Sequence, residues 1–294
     1  MLYPAELRGP PARRYDSHPR PNVKGGATVL LMATLVALAT PAAAADCPTE
    51  GATTAVVADA VDGATLRLTD GSAVRLAGVE APPRPLRLPP SASWAAGDAA
   101  RAGLDRLAAG ATIRLAPVGD AADRYGRRHA YVFLADGRML QTALVGVGAA
   151  RARWYPGEDS CFLSFLAAEK PAREARHGLW SDPEYAVRRA DDPSLPGRNG
   201  LYDLVEGRVV SVGHGSRMIF LDFGRNFRHD FTVMVPPSVA GALDAAGHGA
   251  DAFAGRRVLV RGIIEESGGP AIRLNDPAEI ELLDDGQDDV GVSR

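Results

Sequence analysis

Apolar and polar residues alternate singly through Thr54-Ala-Val-Val-Ala-Asp-Ala-Val61, Thr65-Leu-Arg-Leu68 and Ala73-Val-Arg-Leu-Ala-Gly-Val79, with Asp62-Gly63 and Asp70-Gly71 between the runs. Period-two alternation around Asp-Gly turns predicts an antiparallel meander. After a proline-rich break from Pro82 to Pro90 the period lengthens. Trp94, Ala100, Leu104 and Leu107 then share one face of a helix predicted over Ser93 to Ala109. Two more strands, Thr112–Leu115 and His129–Leu134, and helices over Met139–Gly146 and Phe162–Arg176 complete the segment. Five short strands with helices at one end predict an OB-type barrel, since closing a short sheet removes its exposed edges.

Residues 191–200 carry Pro, Gly and Asp without periodic apolar positions and read as a linker. Beyond it, Leu204–Val212, Met218–Phe223, Phe231–Val235, Arg257–Ile264 and Ala271–Leu274 read as five strands, with room for a short helix between Pro237 and Phe253. That order predicts a second OB-like β-barrel over 201–283. The tail, 284–294, is acidic and expected to be disordered. The fold class expected is mainly β with α: an OB-fold domain over 46–190 and then a second barrel.

The 294-residue length suits two compact units, and the first 45 residues suit neither. Ala27 to Ala39 is apolar but short for a bilayer span, follows Arg8, Arg13, Arg14, Arg20 and Lys24, and ends in the small residues Ala42–Ala45. This predicts a cleaved signal peptide, a periplasmic or secreted location, and no membrane span in the mature protein. Asp46 before Cys47 argues against a lipid anchor. Cys47 and Cys161, the only cysteines, are expected to pair in an oxidising compartment. Without the leader the chain has 28 basic against 34 acidic residues. Residues 191–294 account for 10 and 17 of these, so neither half is a basic nucleic-acid-binding body. The protein partner is left open.

Val61-Asp-Gly-Ala-Thr-Leu66, Val74-Arg-Leu-Ala-Gly-Val-Glu-Ala-Pro82 and Asp123-Arg-Tyr-Gly-Arg-Arg-His-Ala-Tyr-Val132 occur in the order found in thermonucleases. Asp136–Ala150 and Ala175–Ser181 are similar to that family's final segments, so from about Ala55 to Ser181 the chain resembles a staphylococcal nuclease-like domain. The resemblance implies calcium-dependent hydrolysis of phosphodiesters in DNA or RNA. Such chemistry uses a hard cation held by carboxylates, a carboxylate base, and two arginines on the phosphate.

The resemblance assigns the two arginines to Arg75 and Arg127, and nucleotide contacts to Tyr125 and Tyr131. It also shows what is missing. Ala64 occupies a calcium-ligand position, Pro83 the position of the general base, and only Asp62 and Glu80 remain as metal-binding candidates. A general base contributes about 10² to 10⁴ in rate, so an impaired nuclease homologue holding nucleic acid or nucleotide phosphate weakly is expected. No cofactor is expected, or calcium if the domain is active. Two alternatives are a metal-dependent phosphodiesterase with a rebuilt site, using Asp98 or Asp123, and a structural OB-fold protein of the cell envelope. Arg75 and Arg127 also suit ion pairs with Glu80 and Asp62. In the second half Phe223, Arg225, Phe227, Arg228 and Phe231 interleave rings and cations, as a stacking surface or an ordinary hairpin core would.

Overall fold

The computed structural model describes residues 47–84, 94–119, 122–156, 159–226 and 228–283. The expected signal peptide, most of the proline-rich break, Phe227 and the acidic tail lie outside the described residues. All described residues belong to one compact unit.

Strands β1 (Thr53–Asp62), β2 (Thr65–Leu68) and β3 (Ala73–Leu76) form the expected meander, followed by the two-residue β4 (Val79–Glu80) and helix α1 (Ala95–Ala108). Next come β5 (Thr112–Pro117), β6 (Arg128–Leu134), α2 (Leu140–Gly146), β7 (Arg151–Ala152) and α3 (Asp159–Glu174). The barrel closes in the order β1-β2-β3-β6-β5, with β3 and β6 parallel and the other pairs antiparallel. Helix α1 buries Ala100, Leu104 and Ala108, one side chain per turn, but Trp94 caps the helix and stays partly exposed. Gly63 is required where the β1–β2 turn meets this helix: a Cβ there would stand 2.6 Å from that of Ala100. Cys47 and Cys161 are joined as a disulfide, tying the chain before β1 to α3.

The region 191–200 is packed: its 3₁₀ turn Leu195–Arg198 places Leu195 in the second core, and Arg198 binds Asp203 and Glu184. After β8 (Arg188–Arg189) come β9 (Tyr202–Arg208), β10 (Ser211–His214), β11 (Ile219–Asp222), β12 (Thr232–Val235) and α4 (Pro237–Ala245). The sheet ends with β13 (Arg257–Ser267), β14 (Gly269–Arg273) and β15 (Ile280–Leu282). Its path is β10-β11-β12-β14-β13-β9-β8, with β15 on β13. Only Val209 and Val210 separate β9 from β10, so the path leaves one half of a single broken strand and returns to the other. With β12 and β14 parallel, the strand order repeats that of the first barrel. Phe223 and Phe231 meet at 5.1 Å, and Phe231 is buried in this second core, which favours the hairpin-core reading of that segment.

The two sheets are fastened by buried charge. Glu169 on α3 accepts bonds from the Ala152 amide (2.6 Å) and from Arg261 on β13 (2.8 Å), and both side chains are almost wholly buried. Tyr202 on β9 donates its hydroxyl to the Ala152 carbonyl at 2.7 Å. Removing one member of such a network strands its partner without water, which costs about 3–5 kcal/mol.

Candidate phosphate-binding cleft

Two aspartate turns build the site. In the first, the Asp62 carboxylate accepts bonds from the Ala64 amide (2.8 Å) and the Thr65 hydroxyl (2.9 Å), folding the β1–β2 connection over itself. In the second, Asp123 accepts bonds from the amides of Tyr125 (2.9 Å) and Arg127 (3.0 Å), and Gly126, at φ +76°, supplies the left-handed residue that closes the turn. Each turn ends under an arginine. Arg75 reaches Asp62 at 3.3 Å, and Arg127 reaches Asp123 at 2.7 Å.

The guanidinium groups also meet. Arg75 from β3 and Arg127 from the start of β6 each direct a nitrogen to the buried Thr65 hydroxyl, both at 3.4 Å. The parallel β3–β6 pair makes this possible, because it sets Arg75 directly beside His129, two residues beyond Arg127. Two planar forks held this close by separate carboxylates present parallel N–H donors at a spacing that one tetrahedral oxyanion would match. Tyr125 is largely exposed, with the guanidinium groups of Arg124 and Arg127 4.9 and 5.0 Å from its ring centre.

Other assigned residues fall elsewhere. Tyr131 is buried beside Phe165 and presents no ring to solvent. Ala64 is wholly buried in the barrel core, whereas Pro83 is exposed. Asp98 bonds the amide of Trp94 at the start of α1. Arginine pairing also differs from the expected scheme: Arg127 takes Asp123, and Glu80 takes Arg153 (2.7 Å), a partner that sequence reasoning missed.

Calcium takes six to eight oxygens. Asp62 already accepts two turn bonds and faces Arg75, Glu80 faces Arg153, and Ala64 and Pro83 offer no side-chain oxygen. Among the described residues no three His, Cys, Asp or Glu side chains gather to hold an ion. The residues present do not fit the family's calcium.

His129 stands 3.8 Å from Asp123 and 5.1 Å, ring to ring, from Tyr155. Burial lowers its pKa from the usual 6.5; Asp123 raises it, and Arg75 and Arg127 lower it further. Asp123 is held well below the usual carboxylate range by the Arg127 side chain, with the turn amides assisting. A cleft of about 490 Å³ opens beside these groups, with Arg75, Glu80, His129 and Tyr155 on one side and Ile263 and Arg273 of the second sheet on the other.

Residues 73–182 match the sequence model of the family described as staphylococcal nuclease homologue. The matched stretch, with the five-stranded barrel it helps to close, is a staphylococcal nuclease-like domain. The thermonuclease of Staphylococcus intermedius is 38% identical over 58 residues, which cover 20% of this chain and 34% of that protein. The similarity thus spans about a third of the length of that curated relative. The turn Asp62–Thr65 precedes the matched stretch, and its place in the site rests on its contact with Arg75.

Proposed function

We propose that this chain is an exported nuclease homologue impaired in phosphodiester hydrolysis, and that it uses Arg75 and Arg127 to hold a phosphate of a nucleotide or nucleic acid. The observation that carries this reading is the convergence of both guanidinium groups on Thr65 while Asp62 and Glu80 are engaged by Arg75 and Arg153. Attraction to phosphate survives this pairing because guanidinium keeps donors free beyond those spent on one carboxylate. Hydrolysis does not, because neither a cation site nor a base remains where the family's chemistry needs them. The apolar segment Ala27–Ala39 behind its basic leader, together with the Cys47–Cys161 bridge, supports export.

Titrating a short single-stranded oligonucleotide at low salt tests the binding half. Wild type is expected to bind, and Arg75→Gln or Arg127→Gln to weaken binding by about tenfold or more, the effect of losing a charged hydrogen-bonding group. Tyr131→Phe is expected to change nothing. Equal binding by wild type and both arginine variants would remove the pocket.

A further inference from the structure

The second barrel carries a recess on its outer face that the phosphate cleft does not use. Along β10, β11, β12 and β14 the inward residues Val212, Ile219, Leu221, Val233, Val235 and Ile272 fill the core, so their neighbours face outward. Two cross-strand rungs of outward residues lie side by side: Gly213–Phe220–Met234 and Asp222–Thr232–Ala271. Outward residues are ordinarily exposed, yet Thr232, Met234 and Ala271 are each at least nine-tenths buried. They form the floor of a recess of about 300 Å³, with Phe220 and Asp222 in its lining and Ser267, at the β13–β14 turn, completing it. Gly213 has ordinary strand geometry, and a Cβ there would meet its nearest neighbours only at 3.9 Å. Its contribution is the missing side chain, which leaves the recess open.

The geometry points to this recess as a binding site for one ring of a neutral saccharide. Its position is the outward face of the second and third strands of an OB barrel, where that architecture takes oligonucleotides and oligosaccharides. The chemistry separates the two. Among the described residues no cation lines the recess; Arg273, beside Met234 on the neighbouring strand, is held by Glu265 at 3.2 Å, and residues 191–294 carry 10 basic against 17 acidic residues, which disfavours a polyanion. A sugar ring offers an apolar C–H face for Phe220 and hydroxyl donors for a carboxylate. Asp222 accepts from Thr232 (3.2 Å) and Ser211 (3.4 Å), which orients it and leaves further acceptor sites. An organic cation would call for several rings around it, and this recess has one. The volume lies at the small end of the range for ligand pockets, enough for one ring rather than a chain.

The test is a titration of the full chain, followed by NMR, with oligomers of glucose, galactose, mannose and N-acetylglucosamine, and with choline and a single-stranded oligonucleotide as competing classes. At least one neutral oligomer is expected to shift the signals of Phe220, Ser267 and Ala271 saturably, and choline and the oligonucleotide are not. Gly213→Val, which fills the recess on a strand that favours valine, is expected to weaken that binding at least about tenfold with an unchanged melting temperature. Phe220→Ala and Asp222→Asn are expected to do the same from the lining. The proposal is overturned if no neutral oligomer perturbs the recess, if choline or the oligonucleotide occupies it instead, or if binding survives Gly213→Val. Binding of phosphate by Arg75 and Arg127 is unaffected by any of these outcomes.

Discussion

The two barrels share one strand order and differ in what they place on it. In each, the third and fifth strands run parallel, β3 with β6 and β12 with β14. In the first barrel this pair brings Arg75 beside His129, with Arg127 at the strand start. In the second it pairs Thr232 with Ala271 and Val233 with Ile272, and Arg273 is held by Glu265 at 3.2 Å. Topology therefore fixes where a site can form, and side chains decide its character: two converging arginines at one mouth, and a recess with a single carboxylate, Asp222, on the other barrel's face.

The buried Glu169–Arg261 pair is the contact that most strongly couples the two barrels. Arg261→Ala should cost about 3 kcal/mol, since it leaves the buried Glu169 only the Ala152 amide and Arg173 at 3.9 Å, while Arg261→Met with Glu169→Met should cost much less. Calorimetry should show one transition in wild type. Two well-separated transitions would mean that the barrels are independent modules that merely touch.

A smaller effect is expected at Ala64, the position that the resemblance assigns to a calcium ligand. Because Ala64 is wholly buried, Ala64→Asp should destabilise the protein by at least about 2 kcal/mol without calcium. The denaturation midpoint checks this. A neutral outcome would show that position 64 opens to the cleft and that the site is closer to a working one. Adding Pro83→Glu should not by itself create a metal site while Arg153 holds Glu80.

The smallest expected effect is a pH dependence. His129 has its folded pKa lowered, so the unfolded chain binds its proton more readily; the resulting stability is present above the unfolded value of 6.5 and is lost as pH falls through the folded one. The melting temperature of wild type should therefore fall on acidification below about pH 6.5, and His129→Asn should flatten that decline. The second barrel has no counterpart at the paired position, so substitutions at Ala271 should leave the profile unchanged. An identical slope in His129→Asn would remove His129 from the site's electrostatics.

Much of this arrangement was legible in sequence because its signals are local. Asp-Gly turns and single alternation marked the strands, and the two arginines lie in short motifs. The partner of Glu80 was not, since Arg153 lies 73 residues away and only the fold brings the two together. Tyr131 was misplaced because β6 is covered on both faces from Ala130 to Leu134, so alternation says nothing about which side chains face a ligand. Leu195 gave no warning that the 191–200 segment is packed, since one apolar residue among Pro, Gly and Asp has no period to read. The two halves of the broken strand, β9 and β10, appeared as one run, and their separate pairings depend on the turn of the barrel.

The central claim is that phosphate binding outlasted hydrolysis in the first barrel. It is tested most directly by incubating the purified protein with single-stranded DNA and RNA in millimolar calcium, with a parallel sample in EDTA. The account predicts no calcium-dependent cleavage of either polymer, at enzyme levels where a thermonuclease digests both. Calcium-dependent cleavage that EDTA abolishes and Arg75→Gln removes would contradict it.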